Sequence, residues 1–282
     1  MPTLGFQRIQ IDCCDTAQAA SQYALLMGCK PVWQGSYSVL NEFDTVVDSG
    51  LSVWFEFENT RVEFLNSNKT VNSSNTEGTD IAQVSRILFA IDDFDRVSKD
   101  LNVTLLSCQY KNDSGSFEEK QLEILGGAQT KSKIAVISTA NLNSKGLAVS
   151  NFSLQELPRV DHVVLYTNDA PACLKLFQAD LSMRLALDKS VPEWGGRMLF
   201  FRCGKLTLEI ISPTKPFNGA DYFWGLAYQV VDIDKTHKRL SNQGISVSAV
   251  RKGRKQNTRV MTVKSHHLGV PTLLVEPSVA NS

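Results

Sequence analysis

The stretch Val160-Asp161-His162-Val163-Val164-Leu165-Tyr166 decides the fold, because the same local signals occur earlier in Phe6-Gln7-Arg8-Ile9-Gln10-Ile11-Asp12. Each run has the apolar pattern of a strand, and an aspartate that can cap a helix, Asp169 or Asp15, follows it. An amphipathic helical pattern begins after each aspartate. Two segments with the same order of signals predict an internal repeat.

The strands that follow extend this repeat to four units. Two apolar strands joined by a tight turn follow each helix, and a second strand that runs into an acidic helix cap then begins in each half. The predicted strands are residues 53–57, 61–65, 86–92, 133–137 and 146–149 in the first half, and 198–201, 206–210, 225–231, 259–263 and 272–275 in the second. We therefore predict an α+β protein of four βαβββ units, paired into two curved mixed sheets.

The length of the chain supports one domain for each pair of units. A chain of 282 residues is long for one domain of ordinary size and comfortable for two. We place the domains at residues 1–150 and 157–282. The stretch 111–130 has no assignment in this pattern.

Composition argues against several kinds of partner. The 29 basic and 29 acidic residues balance, so the chain has no overall field that would attract nucleic acid or an anionic membrane. No apolar run approaches the roughly 20 residues that cross a bilayer, which favours a cytoplasmic protein. The six cysteines lack C-x-x-C spacing and are interpreted as reduced core residues.

The C-terminal half resembles a known family. The motifs that carry the resemblance are Val160-Asp161-His162-Val163-Val164, Trp194-Gly195, Leu206-Thr207-Leu208-Glu209, Ala227-Tyr228-Gln229-Val230-Val231-Asp232 and Gly269-Val270-Pro271-Thr272-Leu273. In this order they resemble the vicinal oxygen chelate superfamily, which includes glyoxalases, bleomycin-resistance proteins and extradiol dioxygenases. The resemblance implies cup-shaped sheets, each surrounding a ligand or a metal.

Metal-using members of that family take ligands from the first and fourth strands of their units. The equivalent positions here hold Arg8 and Glu63, Arg86 and roughly Ser150, His162 and Glu209, and Gly225 and Leu273. Only the third unit keeps a ligand pair, so the resemblance implies a degenerate, metal-free N-terminal domain. We predict no cofactor. A divalent metal held by His162 and Glu209 is the alternative.

Nine residues of the C-terminal half are candidates for a small-molecule site. His162 would be a catalytic acid or base with Glu209 orienting it, although the pair could also be a hydrogen-bonded pair without catalytic use. Aromatic walls would come from Trp194, Phe201, Trp224 and Tyr228. The basic residues Arg254, Lys255 and Arg259 would bind an anionic group, or form a solvated hairpin turn.

Two hypotheses of function remain open at this point. The chain could be an enzyme of the glyoxalase or ring-cleavage type, a lyase or a dioxygenase, acting on a small oxygenated or aromatic compound. It could instead be a metal-free protein that binds and sequesters a compound, as resistance proteins of this superfamily do. In either case the expected partner is a small molecule, and the chain would be a monomer or a homodimer.

Overall fold

A computed structural model describes residues 3–67, 82–125, 133–139 and 156–277. The first sheet and its helices comprise β1 Thr3–Asp12, α1 Thr16–Met27, β2 Trp33–Leu40, β3 Val46–Phe57, β4 Thr60–Ser67, β5 Gln83–Ile91, α2 Phe94–Asp100, β6 Val103–Asn112, β7 Gly115–Ile124 and β8 Lys133–Ser138.

The second sheet follows in the same order of elements. It comprises β9 Arg159–Tyr166, α3 Ala170–Cys173 with a π-helical continuation Leu174–Asp180, β10 Arg184–Val191, a 3-10 turn Pro192–Trp194, β11 Gly196–Cys203, β12 Leu206–Pro213, β13 Tyr222–Gln229, α4 Ile233–Asn242, β14 Arg251–Lys252, β15 Arg259–Val263 and β16 Thr272–Glu276.

The four-unit prediction is confirmed by the strand pairing. In every unit the first strand lies parallel to the fourth, which gives the pairs β1 with β4, β5 with β8, β9 with β12, and β13 with β16. The first strands of paired units are antiparallel neighbours. An aspartate caps the helix of each unit, with Asp15, Asp93, Asp169 and Asp232 each accepting a backbone N–H bond.

The observed strands of the second unit differ from the predicted ones. Its fourth strand is β8, so the equivalent of a ligand position does not lie near Ser150, and both Ser150 and the predicted strand 146–149 fall outside the described residues. The unassigned stretch 111–130 contains β7 and the end of β6. These two strands alternate between exposed and buried positions, so they lack the continuous apolar run that revealed the others.

The two sheets differ in closure. In the first sheet β2 pairs with β6, and this contact closes the eight strands into a barrel. In the second sheet the equivalent strands, β10 and β14, are the two ends of an eight-stranded sheet. The first sheet therefore encloses its interior, whereas the second keeps an open face.

Helices join the two halves through one buried core. A single apolar cluster includes residues of both sheets and of their helices, such as Leu26, Phe177 and Leu240. The hydroxyls of Tyr23 and Tyr228 are hydrogen-bonded across the halves at 2.7 Å. No helix in the described parts of the chain is long and apolar enough to cross a membrane. All six cysteines lie in those parts, and none of them forms a disulfide.

The interior of the barrel contains a buried guanidinium. Arg8 is fully buried, and it donates to Glu63 at 3.2 Å, to the Tyr110 hydroxyl at 2.8 Å and to Glu119 at 2.8 Å. Its Cζ lies 4.3 Å from the centroid of the Trp54 ring. Burial alone would lower the pKa of Arg8, but Glu119, Tyr110 and Glu63 outweigh it and hold that pKa above its ordinary value.

Replacement of Arg8 tests how far the barrel depends on this cation. We expect Arg8→Met to lower the free energy of unfolding by about 3–5 kcal/mol, because it leaves buried carboxylates without their partner. Urea unfolding followed by circular dichroism measures the change. The matched control is Arg197→Met, which breaks an exposed ion pair with Asp188 and should cost at most about 1 kcal/mol. Equal losses in the two variants would show that the Arg8 cluster is not a structural centre.

Candidate functional site

Strand register makes two pairs of residues equivalent. Arg8 lies beside Arg61, two residues before Glu63 on β4. His162 lies beside Thr207, and Glu209 follows two residues later on β12. The parallel pairing therefore places His162 and Glu209 where the barrel holds Arg8 and Glu63, as the resemblance implied.

His162 and Glu209 share the open face of the second sheet, which we call the cup. Their neighbours along the strands, Val163 and Leu208, are buried in the core cluster with the helices, so alternation directs His162 and Glu209 to the other face. The His162 Nε2 atom lies 3.7 Å from a Glu209 carboxylate oxygen, and the two side chains remain 20% and 15% exposed. Both can therefore contact a small molecule in the cup.

Asp161 holds the other ring nitrogen of His162. Its Oδ1 lies 2.8 Å from Nδ1, and its Oδ2 accepts a bond from the Gln229 side chain at 2.5 Å. Burial would raise the pKa of Asp161, but the bonds from His162 and Gln229 lower it overall. An ionised carboxylate can only accept, so Nδ1 carries the proton and the lone pair of neutral His162 is on Nε2.

The fourth unit presents no metal donor to this pair. Ala227 lies directly opposite His162, and it packs in an apolar cluster with Val260, Leu273 and Val275. A side chain at Gly225 would meet the Pro271 carbonyl oxygen at 2.4 Å. Among the described residues no group of three or more His, Cys, Asp or Glu could hold a metal. Two donors fall short of the three protein ligands that catalytic sites usually supply, so these residues do not fit a metal centre.

Aromatic rings form one wall of the cup. Tyr166 stacks on Tyr222 with 5.5 Å between ring centroids and 8° between their planes, and Phe217 and Trp224 contact the same pair. Trp224 is 47% exposed. Tyr166 lies beside Ile211, two residues after Glu209 on β12, so the wall adjoins the carboxylate. Burial, together with Tyr222 and Glu209, raises the pKa of Tyr166. The wall offers an exposed flat surface beside His162 and Glu209.

The sequence identified only part of this wall. Trp224 belongs to it, but Phe201 and Tyr228 are buried in the core cluster against the helices, so the prediction that they line the pocket is wrong. On β11 it is Phe200, opposite Glu209, that faces the cup. An error of one residue reverses the face in a strand.

Two further aromatic residues, one predicted and one not, are accounted for separately. The side chain of Trp194 lies outside the described part of the chain. Tyr166 was missed, although it lies four residues after His162 on one strand, and that even spacing could have identified it.

The three basic candidates separate into two groups. The charge of Lys255 contributes to the lowered pKa of Asp161, and the charge of Arg254 acts against the raised pKa of Tyr166. Arg259 instead donates to Asp234 at 2.5 Å and Glu276 at 3.2 Å beside α4. The structure does not bring Arg259 to the cup, because its neighbour Val260 has the position that faces inward.

A second depression lies at the junction of the two sheets. Its volume is about 580 Å³, and its lining includes Glu58, Arg159, Gln229, Asn257 and Glu276. Gln229 connects it to the cup, since the same side chain donates to Asp161. The depression borders the candidate site but does not contain His162 or Glu209.

Comparison with known protein families gives one match. Residues 161–262 match the model described as "Glyoxalase/Bleomycin resistance protein/Dioxygenase superfamily". This range begins at Asp161 and ends on β15, so it covers the strands that carry His162 and Glu209. Comparison with curated proteins gave no match.

Solved structures resemble the chain over its whole length. A Mn(II)-bound glyoxalase from Novosphingobium aromaticivorans has a TM-score of 0.63 at 14% identity, covering 98% of this chain and 82% of its own. A mutant of 4-hydroxymandelate synthase from Streptomyces coelicolor has a TM-score of 0.61 at 13% identity, covering 100% and 95%. Identities this low show the fold alone. Residues 161–262 are thus similar to the glyoxalase, bleomycin-resistance and dioxygenase superfamily, and the whole chain shares its fold with the solved glyoxalase and 4-hydroxymandelate synthase.

Proposed function

We propose that the cup of the C-terminal domain binds a small anionic aromatic or oxygenated molecule and that His162 transfers a proton to or from it. The observation that carries this proposal is the bracketing of one half-buried imidazole by two carboxylates. Asp161 contacts Nδ1 at 2.8 Å, and Glu209 lies 3.7 Å from Nε2. We propose that the protein is an enzyme of the lyase type and that it acts in the cytoplasm.

The chemistry follows from the positions of the two ring nitrogens. Nε2 of neutral His162 has the lone pair and is exposed to the cup, so it can remove a proton from a bound carbon or oxygen acid. The imidazolium that forms would be stabilised by Asp161 on one side and by Glu209 on the other. The gap of 3.7 Å is longer than a hydrogen bond, and this leaves the lone pair of Nε2 available to a ligand.

The walls of the cup indicate the kind of ligand. The exposed ring of Trp224 and the stacked pair Tyr166 and Tyr222 suit a planar or apolar group. The positive charges of Lys255 and Arg254 act on Asp161 and on Tyr166, and such charges would suit a ligand with a carboxylate or a similar anion. Such a molecule would place its acidic hydrogen near His162 while its anionic group faces the two cations.

A second candidate function is binding without chemistry. The cluster of aromatic rings favours it, because four rings can hold a flat compound without help from His162. In that case His162 and Glu209 would only provide a polar contact. The two functions differ in whether a bound compound exchanges or loses a proton.

The donor set predicts that the purified protein contains no stoichiometric transition metal. His162 and Glu209 offer two ligands, and in the barrel the cation of Arg8 lies at the equivalent place. Elemental analysis of protein prepared without a chelator measures the metal content. About one equivalent of iron, zinc, nickel or manganese that is lost in His162→Ala would contradict the proposal and favour a metal-dependent enzyme.

Removal of the imidazole should separate binding from chemistry. A screen of small aromatic and oxygenated carboxylic acids by thermal shift supplies ligands, and proton exchange is followed by NMR in D2O. We expect His162→Gln to slow exchange of a bound compound at least about 100-fold, the usual contribution of a general base. The affinity of this variant for the compound should change much less than the exchange rate. The same substitution at His237, which lies on α4, is the control and should leave exchange unchanged.

Trp224→Ala tests whether the ligand is in the cup. This variant should weaken binding roughly tenfold or more through loss of the aromatic surface. Binding without any exchange in the wild type would favour the sequestering function, and full affinity in Trp224→Ala would place the ligand elsewhere.

The two groups of cations give a separate prediction about the ligand's charge. We expect the double variant Arg254→Gln, Lys255→Gln to weaken binding of a carboxylate ligand about tenfold or more, because it removes the two positive charges that act on Tyr166 and Asp161. Arg259→Gln removes a cation that is paired beside α4 and should leave the affinity nearly unchanged. Calorimetric titration of the three proteins measures the affinities. A larger loss in Arg259→Gln would contradict this assignment.

A further inference from the structure

Four side chains form one hydrogen-bonded chain that leads to His162 from the junction of the two sheets. Arg159 Nε donates to Gln229 Oε1 at 2.6 Å, and Gln229 Nε2 donates to Asp161 Oδ2 at 2.5 Å. Asp161 Oδ1 then contacts His162 Nδ1 at 2.8 Å. All four residues are partly buried.

The donor and acceptor chemistry allows only one arrangement of this chain. A guanidinium can only donate, so the Gln229 oxygen must face Arg159 and its amide nitrogen must face Asp161. The Asp161 carboxylate then has one oxygen held by Gln229 and the other directed at His162. Since that carboxylate accepts from both neighbours, the proton of neutral His162 must lie on Nδ1.

The strand geometry explains why these residues meet. A bulge between Ala227 and Tyr228 interrupts the pairing of β13 with β9, and Asp161 is the residue without a partner opposite it. Gln229 pairs with Arg159 immediately beyond this point. The bulge therefore brings Asp161 within reach of both Gln229 and His162.

We propose that Arg159 and Gln229 are positioning residues, which fix the tautomer and the ring orientation of His162 through Asp161. This inference rests on the proposed role of His162 as the group that transfers a proton. Arg159 and Gln229 would then affect the imidazole of His162 without contacting the ligand. Arg159 and Gln229 also line the depression at the junction of the sheets. A change in the contacts of Arg159 in that depression would therefore reach the imidazole through three hydrogen bonds.

The experiment records the ring nitrogen shifts of His162 in ligand-free protein labelled with 15N-histidine. At about pH 9, where histidines are neutral, the two tautomers have distinct shifts. The charge-assisted hydrogen bond that His162 Nδ1–H donates to Asp161 should favour the Nδ1–H form by about tenfold or more in the wild type. We expect Gln229→Met to lower this ratio at least about threefold, because Asp161 loses the bond that anchors it. Arg159→Met should act in the same direction, and Arg159→Lys, which keeps a donor, should retain the wild-type ratio.

The matched control is Gln243→Met. Gln243 also accepts a hydrogen bond from an arginine, Arg239, but no histidine lies at the other end. A wild-type tautomer ratio in folded Gln229→Met and Arg159→Met would overturn the inference, and so would an equal change in Gln243→Met. Because the signal is recorded without ligand, this result is independent of whether His162 proves to be catalytic.

Discussion

The parallel pairing of the first and fourth strands in each unit is the constraint on which the rest of the structure depends. It brings inward-facing residues of neighbouring strands close to each other, because every second residue of two paired strands faces the same side of the sheet. In the first sheet these residues are Arg8 and Glu63, and in the second they are His162 and Glu209. One backbone arrangement thus presents two different pairs of side chains.

Closure of the sheet determines what each pair can do. Pairing of β2 with β6 encloses Arg8 and Glu63 in a barrel, where Tyr110 and Glu119 of the second unit accept hydrogen bonds from Arg8. Buried charges need such partners. The second sheet ends at β10 and β14, so its pair stays accessible. We therefore interpret the N-terminal domain as a structural support and the C-terminal domain as the one that carries the ligand site.

Most of the fold could be predicted from the sequence, because apolar strands and aspartate-capped helices recur in four units. The strands that the sequence did not reveal are β2, β6, β7, β10 and β14. They alternate polar and apolar residues or are largely exposed, so their patterns are weak. Residues 1–150 and 157–282 remain predictions as domain limits, since the joint lies outside the described residues.

The site was less predictable than the fold. His162 and Glu209 could be located because the family resemblance implies site positions on the first and fourth strands of each unit. Phe201 was chosen where Phe200 faces the cup, since a one-residue uncertainty in register reverses a side chain. The contact of Gln229 with Asp161 depends on a β-bulge, which no apolar pattern reveals.

The most direct test of the central claim is a crystal structure of the protein with the tightest small carboxylic acid found by screening. The account predicts density in the cup, with a ligand atom within hydrogen-bonding distance of His162 Nε2 and a ring against Trp224. Density that lies only in the barrel, or only in the depression beside Arg159, would contradict it.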